Sequence, residues 1–295
     1  MPDLEVKICG VQLENPLILA SGILGITKGL IERVAKSGAG AIVTKSCGEE
    51  VRNGYENPTV LELDHGILNA MGLPNPGVDN FRDELFGLSI PVIGSVIAEP
   101  GCERVASKLE PHVNAVELNL SCPHVKGAGA EISRQISVVE DLIKSIKREV
   151  DIPLFVKLGF DLNSSELAGK IQEIGADAIV VMNTIRAMAI DIDMRRPILS
   201  NKFGGLSGPA VKPIGIGMVY ELYEVGIRTI IGCGGITRWE DVVEYLMAGA
   251  SAVEIGSGIF YRGLDIFQEL GNGLEKFMDE NGFSDIGEMV GLAHG

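Results

Sequence analysis

Residues 229–258 read TIIGCGGITRWEDVVEYLMAGASAVEIGSG. An apolar, β-branched run over 229–234 ends in a glycine pair, and apolar residues at helical spacing follow over 237–248. Gly249 stops that helix, and a second apolar run over 252–256 ends in Gly256-Ser257-Gly258. The stretch reads as strand, helix and strand, with Thr237 as the N-cap.

Working outward, the same unit recurs along the chain. Runs at 16–21, 41–46, 91–98, 115–121, 153–158 and 178–184 bring the strands to eight. Helical spacing occupies 133–150, 164–174, 213–225 and 237–248, with Ser164 as a second N-cap and Gly175 and Gly226 as further stops. Eight strand-then-helix units with near-continuous apolar strands predict an α/β fold, a (β/α)8 TIM barrel, with residues 1–295 in one domain. Residues 4–13, turning at Cys9-Gly10, predict a small hairpin ahead of the first barrel strand. Two connections, 47–90 and 185–212, are longer than ordinary βα loops. Long loops on the C-terminal face of a barrel usually carry function.

Composition narrows the classes of function. A hydrophobic fraction of 46% supports a large core, yet no run of 18 or more apolar residues is free of charge or glycine, which argues against a membrane span. Asp3, Glu5 and Lys7 interrupt the N-terminus where a signal peptide would need an apolar stretch. A net charge of −15 argues against nucleic acid or an anionic membrane surface as the main partner, since both need clustered Lys and Arg. Cys9, Cys47, Cys102, Cys122 and Cys233 are scattered, odd in number and without a Cys-x-x-Cys pair. That pattern suits neither disulfides, zinc nor an iron–sulfur cluster, so no metal is expected and a reducing cytoplasm is the expected compartment.

Chemistry-bearing residues cluster at the predicted C-terminal ends of the strands. Ser21-Gly22, Lys45-Ser46, Asn119, Cys122, Lys157 and Asn183-Thr184 all point toward one rim. Cys122, just past an apolar strand and followed by Pro123, is a candidate proton acceptor, the alternative being a buried, inert thiol. Lys45 and Lys157 follow apolar runs, where a nearby anion would offset the cost of an unpaired ammonium. Gly234-Gly235 and Gly256-Ser257-Gly258 end the last two strands, the standard phosphate position of barrel enzymes, and the loop Gly204-Gly205-Leu206-Ser207-Gly208-Pro209 adds a third glycine turn. A phosphorylated cofactor is implied.

These motifs closely resemble the dihydroorotate dehydrogenases, FMN enzymes of pyrimidine synthesis. The collinear set includes Ala20-Ser21-Gly22, Thr44-Lys45-Ser46, the stretch from Leu68 to Gly77, Asn119-Leu120-Ser121-Cys122-Pro123, Val156-Lys157-Leu158, Met182-Asn183-Thr184 and Gly204 to Ala210. A cysteine at 122 is similar to the class 1 soluble enzymes, because class 2 carries serine there and an extra N-terminal segment. The Gly-Gly-Leu-Ser-Gly-Pro-Ala run looks most like the class 1B catalytic subunit.

The resemblance implies FMN contacts for Ser21, Lys45, Ser46, Asn119, Lys157, Met182, Gly208, Gly234, Gly235, Gly256 and Ser257. It implies substrate contacts for Lys45, Asn69, Ala70, Met71, Gly72, Leu73, Asn119, Asn183 and Thr184. Cys122 would be the base that takes a proton from carbon 5 of dihydroorotate while a hydride leaves carbon 6 for the flavin. A loop at 126–130, rich in glycine, would be a lid. In that class a partner subunit carrying FAD and a [2Fe–2S] cluster, in a heterotetramer, passes electrons to NAD+. This chain has neither a second dinucleotide fingerprint nor a cysteine cluster for such groups.

Three positions depart from the family pattern. His124 stands where Asn is usual, Ser95 replaces an Asn that commonly contacts the flavin, and Gly159-Phe160-Asp161 follows Lys157 in place of a Thr/Ser-Pro-Asn run. Ser-Cys-Pro-His is also similar to the pyrimidine-reducing domain of dihydropyrimidine dehydrogenase, which acts on uracil or thymine. Further alternatives are a class 1A, fumarate-linked enzyme, a Schiff-base aldolase using Lys157 or Lys45, and a non-catalytic flavin carrier, against which Cys122 argues.

Overall fold

The computed structural model describes residues 2–120, 135–161 and 164–295. Eight parallel strands close a barrel in chain order: β1 (Leu17–Leu19), β2 (Ala41–Val43), β3 (Val92–Ile97), β4 (Ala115–Asn119), β5 (Leu154–Leu158), β6 (Ala178–Val181), β7 (Ile230–Cys233) and β8 (Ala252–Ile255), with β8 pairing back onto β1. Each strand lies inside its expected run and is shorter, because the chain leaves the ladder at the rim. The expected strand over 178–184 shows this most clearly: β6 ends at Val181, and Ile185–Ala187 pairs in a different sheet.

The apolar strands divide their side chains between two cores by the two-residue period of a strand. Ile18, Val43, Ile93, Phe155, Val180 and Ile231 fill the barrel interior, whereas Leu17, Leu19, Ile42, Val92, Val116, Leu118 and Val156 face the helices. Each such buried Val, Leu, Ile or Phe contributes about 1.5–3 kcal/mol relative to exposure. The N-terminal hairpin, Val6–Ile8 and Val11–Leu13, inserts Ile8 and Leu13 into the interior cluster and closes the barrel floor. Its turn needs positive φ at both central residues, and Cys9 (49°) and Gly10 (93°) provide it.

The helical stops are as expected: Gly175, Gly226 and Gly249 follow helices Ser164–Ile174, Lys212–Glu224 and Trp239–Met247 with φ of 126°, 96° and 118°. The N-caps are not. Ser164 is itself the first helical residue, and the N-cap of Trp239–Met247 is Arg238 rather than Thr237. Thr237 donates through both its backbone N–H and its hydroxyl to the carboxylate of Asp241, which also accepts from the Arg238 N–H. An acceptor one turn inside the helix therefore satisfies the orphan donors that a capping hydroxyl would have taken. Helices Lys28–Lys36, Cys102–Leu109 and Ile266–Asn281 extend the alternation beyond the four that the spacing revealed. Gly273 on the last of these lets Trp239 approach, since a Cβ there would lie 2.3 Å from the indole.

The two long connections form one structure. Val60–Leu63 and Gly66–Asn69 from the first pair with Gly204–Ser207 and Ile185–Ala187 from the second in a four-stranded antiparallel sheet. Because both connections leave the C-terminal ends of their strands, this sheet lies on the C-terminal side of the barrel. Leu68, Ala70 and Leu199 make its own small core. No helix among the described residues is long and apolar enough to cross a membrane.

Candidate active site

Above the apolar floor the barrel interior turns polar. Glu117 on β4 follows Ala115 on the inward face, Lys157 on β5 follows Phe155, and Glu254 on β8 follows Ala252. Ser95 on β3 lies opposite Glu117 in register and donates its hydroxyl to the Glu117 carboxyl at 3.3 Å. All four residues are at most 3% exposed. The Lys157 ammonium is ion-paired to Glu254. A buried charge without a partner is strongly disfavoured, so this layer persists only because its members satisfy one another.

Burial pushes the Glu117 carboxyl well above the usual carboxylate range; Glu254 adds to the rise and Lys157 opposes it. For Lys157, burial works against the charged form, but its acidic neighbours, the ion-paired Glu254 among them, outweigh it and hold the ammonium above the ordinary lysine value. Burial also pushes the Cys233 thiol up to about 12.

One layer higher, hydroxyls and amides connect the strand ends. Ser21 and Ser46 lie 3.0 Å apart, Ser46 and Ser95 2.8 Å, and Ser21 donates to Ser95 at 3.4 Å. Asn119, the register partner of Lys157 on the neighbouring strand, donates its amide to Ser46 at 3.1 Å. Asn183 donates to the Asn119 carbonyl oxygen at 3.5 Å and accepts from the Thr184 N–H at 2.7 Å. Ser21, Ser46, Asn119, Lys157, Asn183 and Thr184, all expected at one rim, are therefore together. Lys45 is half-buried beside Ser46, and Met182 is buried at the end of β6.

The glycine loops converge at the adjacent ends of β7 and β8. Gly235 adopts φ 70°, and a Cβ there would fall 2.8 Å from the Gly208 carbonyl oxygen, so these two loops touch through backbone alone. Gly234 is similarly left-handed at φ 130°. Gly256 faces open space, since a Cβ on it would meet only the Ala20 methyl, at 3.4 Å. Ser257 is half-buried next to it.

Within 69–73 the residues separate. Asn69 donates its amide to the Gly205 carbonyl at 3.3 Å, and Ala70 is buried in the core of the overlying sheet. Met71 is exposed, while Gly72 and Leu73 turn the chain with φ of 75° and 54°. Asn75 pins this turn by accepting from the N–H groups of Gly48 and Gly77 and donating to the Leu73 carbonyl. Cys122, His124 and the 126–130 loop lie outside the described residues.

Sequence reasoning missed Glu117, Glu254 and the organising role of Asn75. The first two carry a legible signal: each is an acid inside an apolar strand, in phase with the inward-facing Asn119 or Gly256. Among the described residues no group of three or more His, Cys, Asp or Glu could hold a metal ion.

The dihydroorotate dehydrogenase family model matches residues 3–278. The Methanocaldococcus jannaschii protein named "Dihydroorotate dehydrogenase B (NAD(+)), catalytic subunit" is 48% identical over 301 residues, covering 99% of this chain and 98% of its own length. Its namesake from Pyrococcus horikoshii is 48% identical over 295 residues, covering 98% and 97%. A dihydroorotate dehydrogenase from Eimeria tenella, solved in complex with ferulenol, has a TM-score of 0.87 over 100% of this chain and 89% of that one. At 22% identity it speaks for the fold. A family match across nearly the whole barrel, with two relatives at 48% identity over almost their full lengths, means that this chain belongs to the dihydroorotate dehydrogenase family.

Proposed function

We propose that this chain oxidises dihydroorotate to orotate in pyrimidine biosynthesis, in the cytoplasm, as the FMN-binding catalytic subunit of a two-subunit enzyme. The observation that carries this reading is the meeting of Asn119, Asn183 and Lys157 at one barrel mouth beside the glycine loops. Those residues fit a flavin mononucleotide. Gly208, Gly234, Gly235, Gly256 and Ser257 offer backbone N–H groups suited to a phosphate, with open space in front of Gly256. Ser21, Lys45, Ser46, Asn119 and Lys157 supply hydrogen-bonding groups for the ring system, with Met182 as an apolar flank. When bound, FMN supplies the two-electron acceptor for the hydride from carbon 6.

Asn69, Asn119, Asn183 and Thr184, with the backbone of Ala70, Met71, Gly72 and Leu73, hold the planar substrate, and Lys45 meets its carboxylate. Cys122 removes the proton from carbon 5, which requires it to come within hydrogen-bond reach of that proton. Lys157 would offer a fixed positive charge to the bound flavin, an effect strongest when preorganised and dry. Naming of the relatives as NAD(+)-linked catalytic subunits supports a partner that completes electron transfer. We assign to that partner FAD and a [2Fe–2S] cluster, in a heterotetramer.

The test is direct. The purified chain is mixed with dihydroorotate without air, and the flavin absorbance is expected to bleach, with electrons passing to an artificial dye but not to NAD+. Bleaching by dihydrouracil in its place, or NAD+ reduction by the isolated chain, would overturn the assignment.

A further inference from the structure

The polar layer inside the barrel contains two acids and one base. Lys157 is ion-paired to Glu254, and Glu117 takes the Ser95 hydroxyl. The Glu117 and Glu254 carboxyl groups are also close enough for one to donate a hydrogen bond to the other. Each retains one buried oxygen, Glu117 Oε2 and Glu254 Oε1, that receives no hydrogen bond from a conventional donor among the described residues. The Cys233 thiol lies beside the same cluster and stays protonated at neutral pH. One cation cannot neutralise two carboxylates, and two adjacent carboxylates in a dry site do not both ionise. A single shared proton satisfies both orphaned oxygens and leaves the layer neutral.

We propose that Glu117 and Glu254 form a proton-sharing carboxyl pair carrying one negative charge, which positions the Lys157 ammonium and sets the net charge beneath the flavin site. Glu254 holds the charge against Lys157, and Glu117 keeps the proton while accepting from Ser95. Both are positioning residues that act through Lys157. The part concerning the flavin rests on the functional reading above, whereas the shared proton does not. Ser95 gains a reason as well: its short hydroxyl connects the carboxyl pair to Ser46 and so to Asn119. Ladders of polar groups in a low dielectric stand or fall together, so loss of one member is felt by the others.

Infrared spectroscopy of the flavin-free chain at mildly alkaline pH, where exposed Asp and Glu are ionised, tests the proton. The wild type is expected to show a protonated-carboxyl C=O stretch that shifts in D2O. Glu117→Gln and Glu254→Gln should each lack it, because the one carboxyl left beside Lys157 ionises. In FMN-loaded protein, Glu117→Gln should keep the wild-type midpoint potential, since the charge of the layer is unchanged. The double variant leaves the ammonium uncompensated and should favour reduced over oxidised flavin at least tenfold, about 30 mV for a two-electron couple. A wild-type spectrum without the band overturns the proposal even if a variant fails to fold, as does a Glu117→Gln potential shifted as far as that of the double variant. Failure to bind any flavin would instead remove the functional reading, and the infrared spectrum would still decide the carboxyl pair.

Discussion

The Cβ that residue 205 lacks would fall 2.0 Å from Thr184 Oγ1. Gly205 thus joins the overlying sheet to the chain just past β6, and its carbonyl simultaneously receives the Asn69 amide. Gly205→Ala must displace Thr184 or the strand carrying Asn69, an overpacking cost of about 1–3 kcal/mol. We expect KM for dihydroorotate to rise about tenfold or more while FMN stays bound. Steady-state kinetics alongside the flavin spectrum would check this, and unchanged KM would remove Asn69 and Thr184 from the substrate site.

The cofactor prediction rests on the glycine loops after β7 and β8. The chain should purify yellow, with one non-covalent FMN. Gly256→Asp should abolish binding, because the open space at Gly256 would then hold a carboxylate facing the phosphate. Released flavin identified by chromatography distinguishes FMN from FAD, and stoichiometric FAD would contradict the assignment.

Cys122→Ala should retain FMN and slow its anaerobic reduction by dihydroorotate by roughly 10² or more, the scale of losing a general base. With a thiol reference value of about 8.5, the wild-type rate should climb with pH as thiolate forms. Cys122→Ser should fall between the two and recover in part at high pH. Stopped-flow traces giving wild-type rates for the alanine variant would leave Cys122 without a catalytic role.

Asp241 predicts a stability effect far from the chemistry. Burial works to raise its pKa, but hydrogen bonds from Lys212, Thr237 and Arg238 outweigh burial and hold the carboxyl below its usual range. A depressed folded-state value contributes stability above the unfolded value of about 3.9 that is lost as pH falls through the folded one. Asp241→Asn should therefore cost about 1–2 kcal/mol at neutral pH, with the gap to wild type closing below about pH 4. Urea unfolding across that range measures it, and a gap independent of pH would refute the charged cap.

Those features that depend on neighbours along the chain are legible in the residues alone. Strand and helix periods, glycine stops and the Cys9-Gly10 turn specified the barrel and its hairpin, because each reflects backbone preference within a few residues. They also placed Ser21, Ser46, Asn119 and Asn183 at strand ends, and so at one rim. What those residues meet depends on closure of the barrel. Lys157 and Glu254 are 97 positions apart and become partners only when β8 closes the barrel onto β1. Residues 47–90 and 185–212 had no periodicity strong enough to show that they pair, since short strands acquire their register from each other rather than from their own sequence. Thr237 looked like a helix cap and became a donor to Asp241, because three donors meeting on one carboxylate oxygen is a fact of geometry that spacing does not encode.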